Sequence, residues 1–416
     1  MEIAESNPLL CEVIAEQIAK SPKQRITFAE FMDLALYHPQ QGYYATNQSG
    51  QGIQSDFFTS PHLGSDFGEL LAQQFAQMWE ILGCPASFTL IEMGAGQGLL
   101  VQDILRYLHK HYFSCFEALQ YIVVEKSPAL AAEQQRRFGK FAESWGRLTW
   151  QTWEEIPRDS IVGCCFSNEL VDAFPVHQVM RVGETLQEIY VEASFRETVG
   201  ELSTSKLLDY FESVGVNLTD QKYPEGYRSE VNLQALDWLE IVSDRLHQGY
   251  ILTIDYGYSA QRYYSPTRTQ GTLQCYYQHA HHDNPYQAIG RQDITAHVNF
   301  TALERWGEQF ELQNLGFTQQ GLFLMALGLG DRLAALSNPD STQSLQDILS
   351  RRESLHALMN PMGLGNFGVL IQGKRLNETQ LSLKGCLKSL IKHLNSGDPP
   401  KSPLRKGDFE FRSPFS

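Results

Sequence analysis

The chain is short of positive charge: across 416 residues, 33 Lys and Arg stand against 48 Asp and Glu, a formal net charge of -15. Phosphate backbones and anionic membrane surfaces require a basic footprint, so the charge argues against general nucleic-acid or membrane-surface binding. Long apolar runs are also lacking. The longest, LFLMALGLG at 322–330, falls well below the roughly 20 residues a membrane helix needs. The opening MEIAESNPLL carries two acids in five residues and no basic stretch leading into an apolar one, the wrong pattern for a secretory signal. Seven cysteines include no C-x-x-C pair, and Cys164 and Cys165 are adjacent in a strand-like run. That usage predicts reduced, buried thiols in a cytoplasmic protein, not a disulfide framework. No internal repeat is visible, which removes solenoids.

What is present falls into two textures. The first 85 residues are periodic in the helical sense: LLCEVIAEQIAK, then TFAEFMDLALYH with Thr27 and Glu30 spaced as a capping box, then FGELLAQQFAQMWEILG. From Ser87 strands and helices alternate. FTLIEMG (88–94) leads into an amphipathic helix whose Leu100, Val101, Ile104, Leu105 and Leu108 share a face. YIVVE (121–125), RLTWQTW (147–153), IVGCCFSNE (161–169) and GYILTIDYG (249–257) are further strands. Continuous apolar strands separated by helices predict a parallel sheet covered on both faces, an α/β fold. FTQQGLFL and FGVLIQG are expected to close it as antiparallel strands.

The division that follows is a helical N-terminal cap (1–86), a core (87–373) and a tail (374–416). The core carries insertions at 176–240 and 258–305, the first opening on a hairpin (VHQVMRV, LQEIYVEAS). The tail holds nine Lys or Arg against four Asp or Glu, with four prolines near its end, and is expected to be partly disordered.

The glycine loop carries the first chemistry. A strand ending in Glu92-x-Gly94-x-Gly96-x-Gly98 and entering a helix collects backbone N–H groups at one point, with glycine where a side chain would block a ligand or φ is positive. Dinucleotide loops favour G-x-G-x-x-G around a pyrophosphate. Here the third glycine comes one residue early and an acid precedes the first. This suits a ligand with a cationic end, such as the amino-acid end of S-adenosylmethionine, more than a nicotinamide or flavin; a bare strand–helix turn is the third reading. Glu125, ending the next strand, can accept both hydroxyls of a ribose. Trp150, Gln151 and Trp153 fall where an adenine would lie, although a core role suits at least one of these Trp.

The chain resembles the class I S-adenosylmethionine-dependent methyltransferases, and more narrowly the MidA family. The resemblance is carried by the glycine loop and by ALYHPQQGYY (35–44), SDFFTSP (55–61), SNELVDAFPVHQ (167–178), IDYGY (254–258), GTLQCYYQH (271–279) and DITAHVNFTAL (293–303). It covers roughly residues 8 to 373. It implies a Rossmann-like, mostly parallel seven-stranded sheet, S-adenosylmethionine as cofactor, and a protein arginine methyltransferase; family members are linked to an arginine in a subunit of respiratory complex I. The implied partner is therefore a protein substrate, with an NADH dehydrogenase subunit as the candidate, and with no nucleic acid and no membrane insertion; a homo-oligomer is compatible. The chain departs from the family at His62, where an acid is usual, and at Leu170-Val171, where a bulkier pair is usual.

The fourth strand ends in the crevice where open α/β sheets bind ligands. Asn168, Glu169 and Asp172 there are the expected catalytic residues, because a carboxylate pair can orient a guanidinium and offset its charge. The alternative is structural, with Asp172 a helix cap and Glu169 the buried partner of an arginine. Thr59 and Ser60 are expected to donate hydrogen bonds to the cofactor, and Asn168 to lie near it; Phe57 and Phe58 either wall the adenosine pocket or anchor the helical cap to the core. The run His279-x-His281-His282-Asp283 looks like a metal cluster but lacks the matching strand–loop context, so no metal is expected. His297 either positions substrate or satisfies a carbonyl. Two function classes remain in play: the enzyme, and a non-catalytic S-adenosylmethionine-binding assembly factor for such a complex. An NAD-dependent oxidoreductase is a third, disfavoured by the glycine spacing.

Overall fold

In a computed structural model covering residues 6–46, 59–278, 280–337 and 344–385, the alternating region forms one seven-stranded sheet. Its strands are β1 (Phe88–Met93), β2 (Leu119–Val124), β3 (Leu148–Trp150), β4 (Ile161–Asn168), β5 (Leu246–Asp255), β6 (Gln313–Gln319) and β7 (Gly368–Lys374), in the order β6-β7-β5-β4-β1-β2-β3. The five strands β5-β4-β1-β2-β3 are parallel, and β7 runs antiparallel to both neighbours. This is the class I methyltransferase sheet.

Alternation along the strands builds two cores. Leu90, Tyr121, Cys164, Phe166, Tyr250 and Leu252 point to one face; Ile91, Ile122, Cys165 and Ile251 point to the other. Cys164 and Cys165 therefore lie on opposite sides of the sheet and remain free thiols. The first face is covered by helices from Asp66–Ile81 and Leu99–His111, the latter burying the five apolar positions its spacing predicts. The second is covered by helices Leu233–Arg245 and Phe300–Gln309. Both of these run across the insertion limits drawn at 240 and 305, because their apolar faces (Trp238, Leu239, Val242; Phe300, Leu303) are needed against β5 and β7. Of FTQQGLFL (317–324), expected as strand, residues 317–319 are strand and 320–324 fall in a helix, Gln320–Ala326. The sheet pairing stops at Gln319–Gly368, and Phe323, Leu324 and Leu327 reach the core only at helical spacing.

The remaining parts gather over the carboxyl ends of the strands. Helices Pro8–Lys20 and Phe28–Tyr37, the latter opened by the predicted Thr27–Glu30 capping box, share an apolar cluster with Val176 and Val191 of the first insertion and Cys275, Ile289 and Ile294 of the second. Strands 177–182 and 185–192 form the expected hairpin, and a bridge from Arg228 to Gln270 ties the two insertions together.

Candidate active site

The parallel strands end level with one another: Met93 is opposite Val124 and Ser167, and Asn168 opposite Ile254. The residues that follow therefore emerge at one edge, around a cavity of about 790 Å³. Its floor holds Glu92, Gly94, Gly96, Glu125, Asn168 and Glu169. Tyr37, Tyr43 and Tyr44 from the N-terminal segment and Asp293 from the second insertion roof it.

The three glycines have different tasks. All have positive φ (68°, 52° and 73°). A Cβ on Gly94 would lie 2.7 Å from Leu170 Cδ1, and one on Gly98 would lie 2.5 Å from Phe138 Cε2. A Cβ on Gly96 would meet nothing within 4 Å. Gly96 thus presents open backbone to the cavity. Gly98 does not line the cavity; it is the left-handed N-cap of helix Leu99–His111, so its glycine serves the turn and the Phe138 ring.

Behind the loop sits Gln134, fully buried, a residue the sequence did not single out. Its Nε2 donates to the Gly96 carbonyl (2.8 Å) and to Glu125 Oε2 (3.2 Å), and its Oε1 accepts from Trp150 Nε1 (2.9 Å). One amide joins the glycine loop, the acid after β2 and the end of β3. Trp150 is therefore a bracing residue and Trp153 is the one that lines the cavity, while Gln151 bonds Thr149 at the surface. Gln134→Ala would leave three polar groups without their partner. We expect a loss of ~1–3 kcal/mol in stability by chemical denaturation. Calorimetry should show S-adenosylhomocysteine affinity falling at the same time, since the loop loses its brace.

Two acids face this ligand position. Glu92 accepts from the Tyr121 hydroxyl (2.5 Å) and, through burial above all, has its pKa pushed up to about 8; Tyr121 opposes this and Glu125 adds to it. Glu125 is likewise raised by burial, against the N–H of Ser127 and the amide of Gln134. Asn168 Oδ1 is buried without a hydrogen-bond partner. Open backbone at Gly96, an acid short of countercharge below it, a carboxylate at the end of β2 and an orphan acceptor on Asn168 fit a ligand with a cationic amino-acid end and a ribose.

On the facing wall Glu169 adopts a left-handed φ of 52°, held by its N–H to Ile254 O (2.9 Å), and its Oε1 accepts from Asn168 Nδ2 (3.0 Å). Asp172 follows in a short turn, and that turn is capped by Asp255, which accepts from the N–H groups of Val171 (2.9 Å) and Asp172 (3.2 Å). The capping task considered for Asp172 thus belongs to Asp255. Among the described residues neither Glu169 nor Asp172 pairs with Lys or Arg. Burial and then Asp172 push Glu169 up to about 8; burial pushes Asp172 up to about 6 against the neighbouring Tyr256. Among the described residues none of these three carboxyl groups, including the deeply raised Asp255, forms an ion pair.

The roof grips this turn. Tyr37 donates to Ala173 O (3.0 Å), Tyr44 to Asp293 Oδ1 (3.1 Å), and Lys126 reaches Asp33 (2.7 Å) while lying over the Tyr37 ring. Thr59 lines the cavity with its Oγ1 2.7 Å from His62 Nδ1; the Ser60 side chain turns away to Gln320. Phe57 and Phe58 lie outside the described residues, as does His279. Among the described residues no group of three or more His, Cys, Asp or Glu is placed to hold a metal ion, and no helix is long and apolar enough to cross a membrane. His297 stacks on Tyr258 (5.0 Å between centroids) behind the cavity wall; its Nδ1 has no partner, and burial lowers its pKa to about 4. Asp255 and Asp293 stand in the stretches IDYGY and DITAHVNF, so motif position was their signal. Gln134 offered none.

The family described as S-adenosyl-L-methionine-dependent methyltransferase matches residues 70–318. The chain belongs to that family. The methyltransferase is 29% identical over 412 residues to the rat mitochondrial protein arginine methyltransferase NDUFAF7, spanning 92% of this chain and 90% of the rat protein. It is 29% identical over 335 residues to the Drosophila melanogaster homologue, spanning 75% and 73%. A solved structure from Burkholderia thailandensis, bound to S-adenosyl-homocysteine, superposes with a TM-score of 0.78 at 28% identity, covering 92% of this chain and 95% of that one. The MidA resemblance read from the motifs stands, and the cofactor of this methyltransferase is S-adenosylmethionine.

Proposed function

We propose that this methyltransferase acts in the cytoplasm on an arginine side chain of a protein, a subunit of a respiratory-type NADH dehydrogenase. The observation that carries this is the pair Glu169 and Asp172, lining the cofactor cavity with no basic partner among the described residues. Relatives covering nine-tenths of the chain are named protein arginine methyltransferases, which supports the same reading. Free thiols at Cys164 and Cys165 suit a reducing compartment.

The bound cofactor supplies an electrophilic methyl group on a sulfonium. Glu169 and Asp172 bind the guanidinium by charge-assisted hydrogen bonds, fixing which nitrogen points at the floor. Their negative charge offsets the repulsion between two cations brought together. A guanidinium gaining a methyl group must give up a proton, and the carboxylate of Asp172, buried beside Tyr256, accepts it.

Labelled methyl transfer into extract from a strain lacking this protein tests the reading. Hydrolysis of the labelled NADH dehydrogenase subunit should release methylarginine. Label on another residue type sinks the substrate class; absence of label from a protein that binds cofactor would make it a non-catalytic assembly factor.

The same acids predict a pH dependence. With pKa values of about 8 and about 6 in the free site, Glu169 is mostly protonated at neutral pH. An arriving guanidinium favours the ionised forms, so binding should release protons and tighten as pH rises through that range. Titrating an arginine peptide in buffers of different ionisation enthalpy should show proton release near pH 7. Proton uptake, or none, contradicts the assignment.

A further inference from the structure

A second cleft, of about 760 Å³, opens on the second insertion and is lined by Gln261, Arg262, Ser265, Thr267 and Arg268. Every lining side chain can donate a hydrogen bond and none is a carboxylate. In a chain of net charge -15, two guanidinium groups share this lining, and neither forms an ion pair among the described residues. Both lie over the same ring, Arg268 at 4.4 Å and Arg262 at 5.0 Å from the Tyr258 centroid.

The cleft is built on a rigid support. Arg268 Nη1 donates to the carbonyls of Arg262 (2.7 Å) and Tyr263 (3.1 Å), and its N–H closes a turn on Ser265 O (2.9 Å). From beneath, the buried hydroxyls of Tyr223 and Tyr227 hold the carbonyls of Tyr264 (3.0 Å) and Ser265 (3.2 Å). Ser265 and Thr267 hydroxyls lie 2.9 Å apart and face the opening together. The Arg268 fork, held in place, loses little freedom on binding an oxyanion, which favours carboxylate recognition, and Arg262 adds a second charge beside it.

Its position gives the cleft a use. Tyr258 stacks on His297 (5.0 Å, 15°), His297 meets Tyr256 edge-on (5.0 Å, 84°), and Tyr256 adjoins Asp172 in the cavity wall. Three rings separate the two sites, a gap that a few residues of extended chain can span. Resting on the reading of a protein substrate, we propose that this cleft docks an acidic segment of that substrate, its Asp or Glu carboxylates on Arg262 and Arg268, while an arginine a few residues away occupies the cavity.

The test is calorimetric titration of the full chain with hexaglutamate at low salt, independent of any methyl transfer. Wild type should bind, with affinity falling as salt rises. R262E/R268E should bind at least about tenfold more weakly, the loss expected when two charge-assisted contacts become repulsive. R268K, which keeps the charge but loses the fork, should weaken binding less than R262E/R268E does, and R136E/R158E, reversing two exposed arginines elsewhere, should change little. S-adenosylhomocysteine binding reports that each variant is folded. Absence of hexaglutamate binding by wild type, or equal loss in the R136E/R158E control, overturns the proposal. So does inorganic phosphate binding that depends on Arg262 and Arg268 when the peptide does not bind, since the cleft would then be a free-phosphate site. Peptide docking retained by a protein that methylates no arginine leaves the docking site standing and sinks the substrate reading instead.

Discussion

Glu169→Gln should leave S-adenosylhomocysteine affinity nearly unchanged and slow single-turnover methyl transfer by about 10²-fold or more, the scale of losing one preorganised electrostatic group. The substitution keeps the side chain's volume, its contact with Asn168 and the left-handed backbone at this position. What it removes is one of the charges that compensate the substrate cation. Glu169 contributes nothing to a lysine or arginine of its own chain among the described residues, so the protein should lose no ion pair. Relief of a buried carboxyl should even raise the melting temperature above neutral pH. Glu169 has a folded-state pKa near 8 against an ordinary value of 4.5. A group raised in this way favours the folded state below the unfolded value and costs stability as pH rises toward the folded one. Wild-type transfer rates in the Gln variant would show that the acid is structural.

Gly96→Val should abolish cofactor binding while the sheet survives. The space a Cβ would enter holds no protein atom within 4 Å, so a valine there stands in the ligand's volume and not in a neighbour's. Placing a non-glycine residue at φ 52° costs about 1–2 kcal/mol, a few degrees in melting temperature. Filling the ligand's volume costs roughly 3 kcal/mol, a fall of about 100-fold or more in affinity. Calorimetry with S-adenosylhomocysteine and a thermal melt on the same sample separate the two quantities. Gly98→Ala supplies the contrast: its Cβ meets Phe138 at 2.5 Å, so stability should fall more than affinity. Unchanged affinity in Gly96→Val would remove the glycine loop from the site.

Most of the sheet was legible because its signals are local. Apolar runs such as YIVVE and GYILTIDYG need two covered faces wherever they lie, and Gly94 to Gly98 require positive φ at their own positions. The strand ends also named Glu125, Asn168, Glu169 and Asp172, since a parallel sheet brings the residues after its strands to one edge. The error at 320–324 came from the same locality: FTQQGLFL has a composition suited to either structure, and the end of the β6–β7 pairing decided it.

What the tertiary structure alone decided are the pairings between distant segments. Gln134 is an ordinary polar residue in an amphipathic helix until packing sets it under Gly96, 38 residues away, and beside Trp150. Tyr44 and Asp293 are 249 positions apart, and their bond brings the N-terminal segment and the second insertion over one cavity. Two of three similar glycines face neighbouring side chains and one faces open space, a difference set by where Leu170 and Phe138 come to rest. Local sequence determines backbone geometry and burial through sterics and hydrophobic period; which polar groups then meet depends on the closure of long loops, to which no short stretch of residues is sensitive.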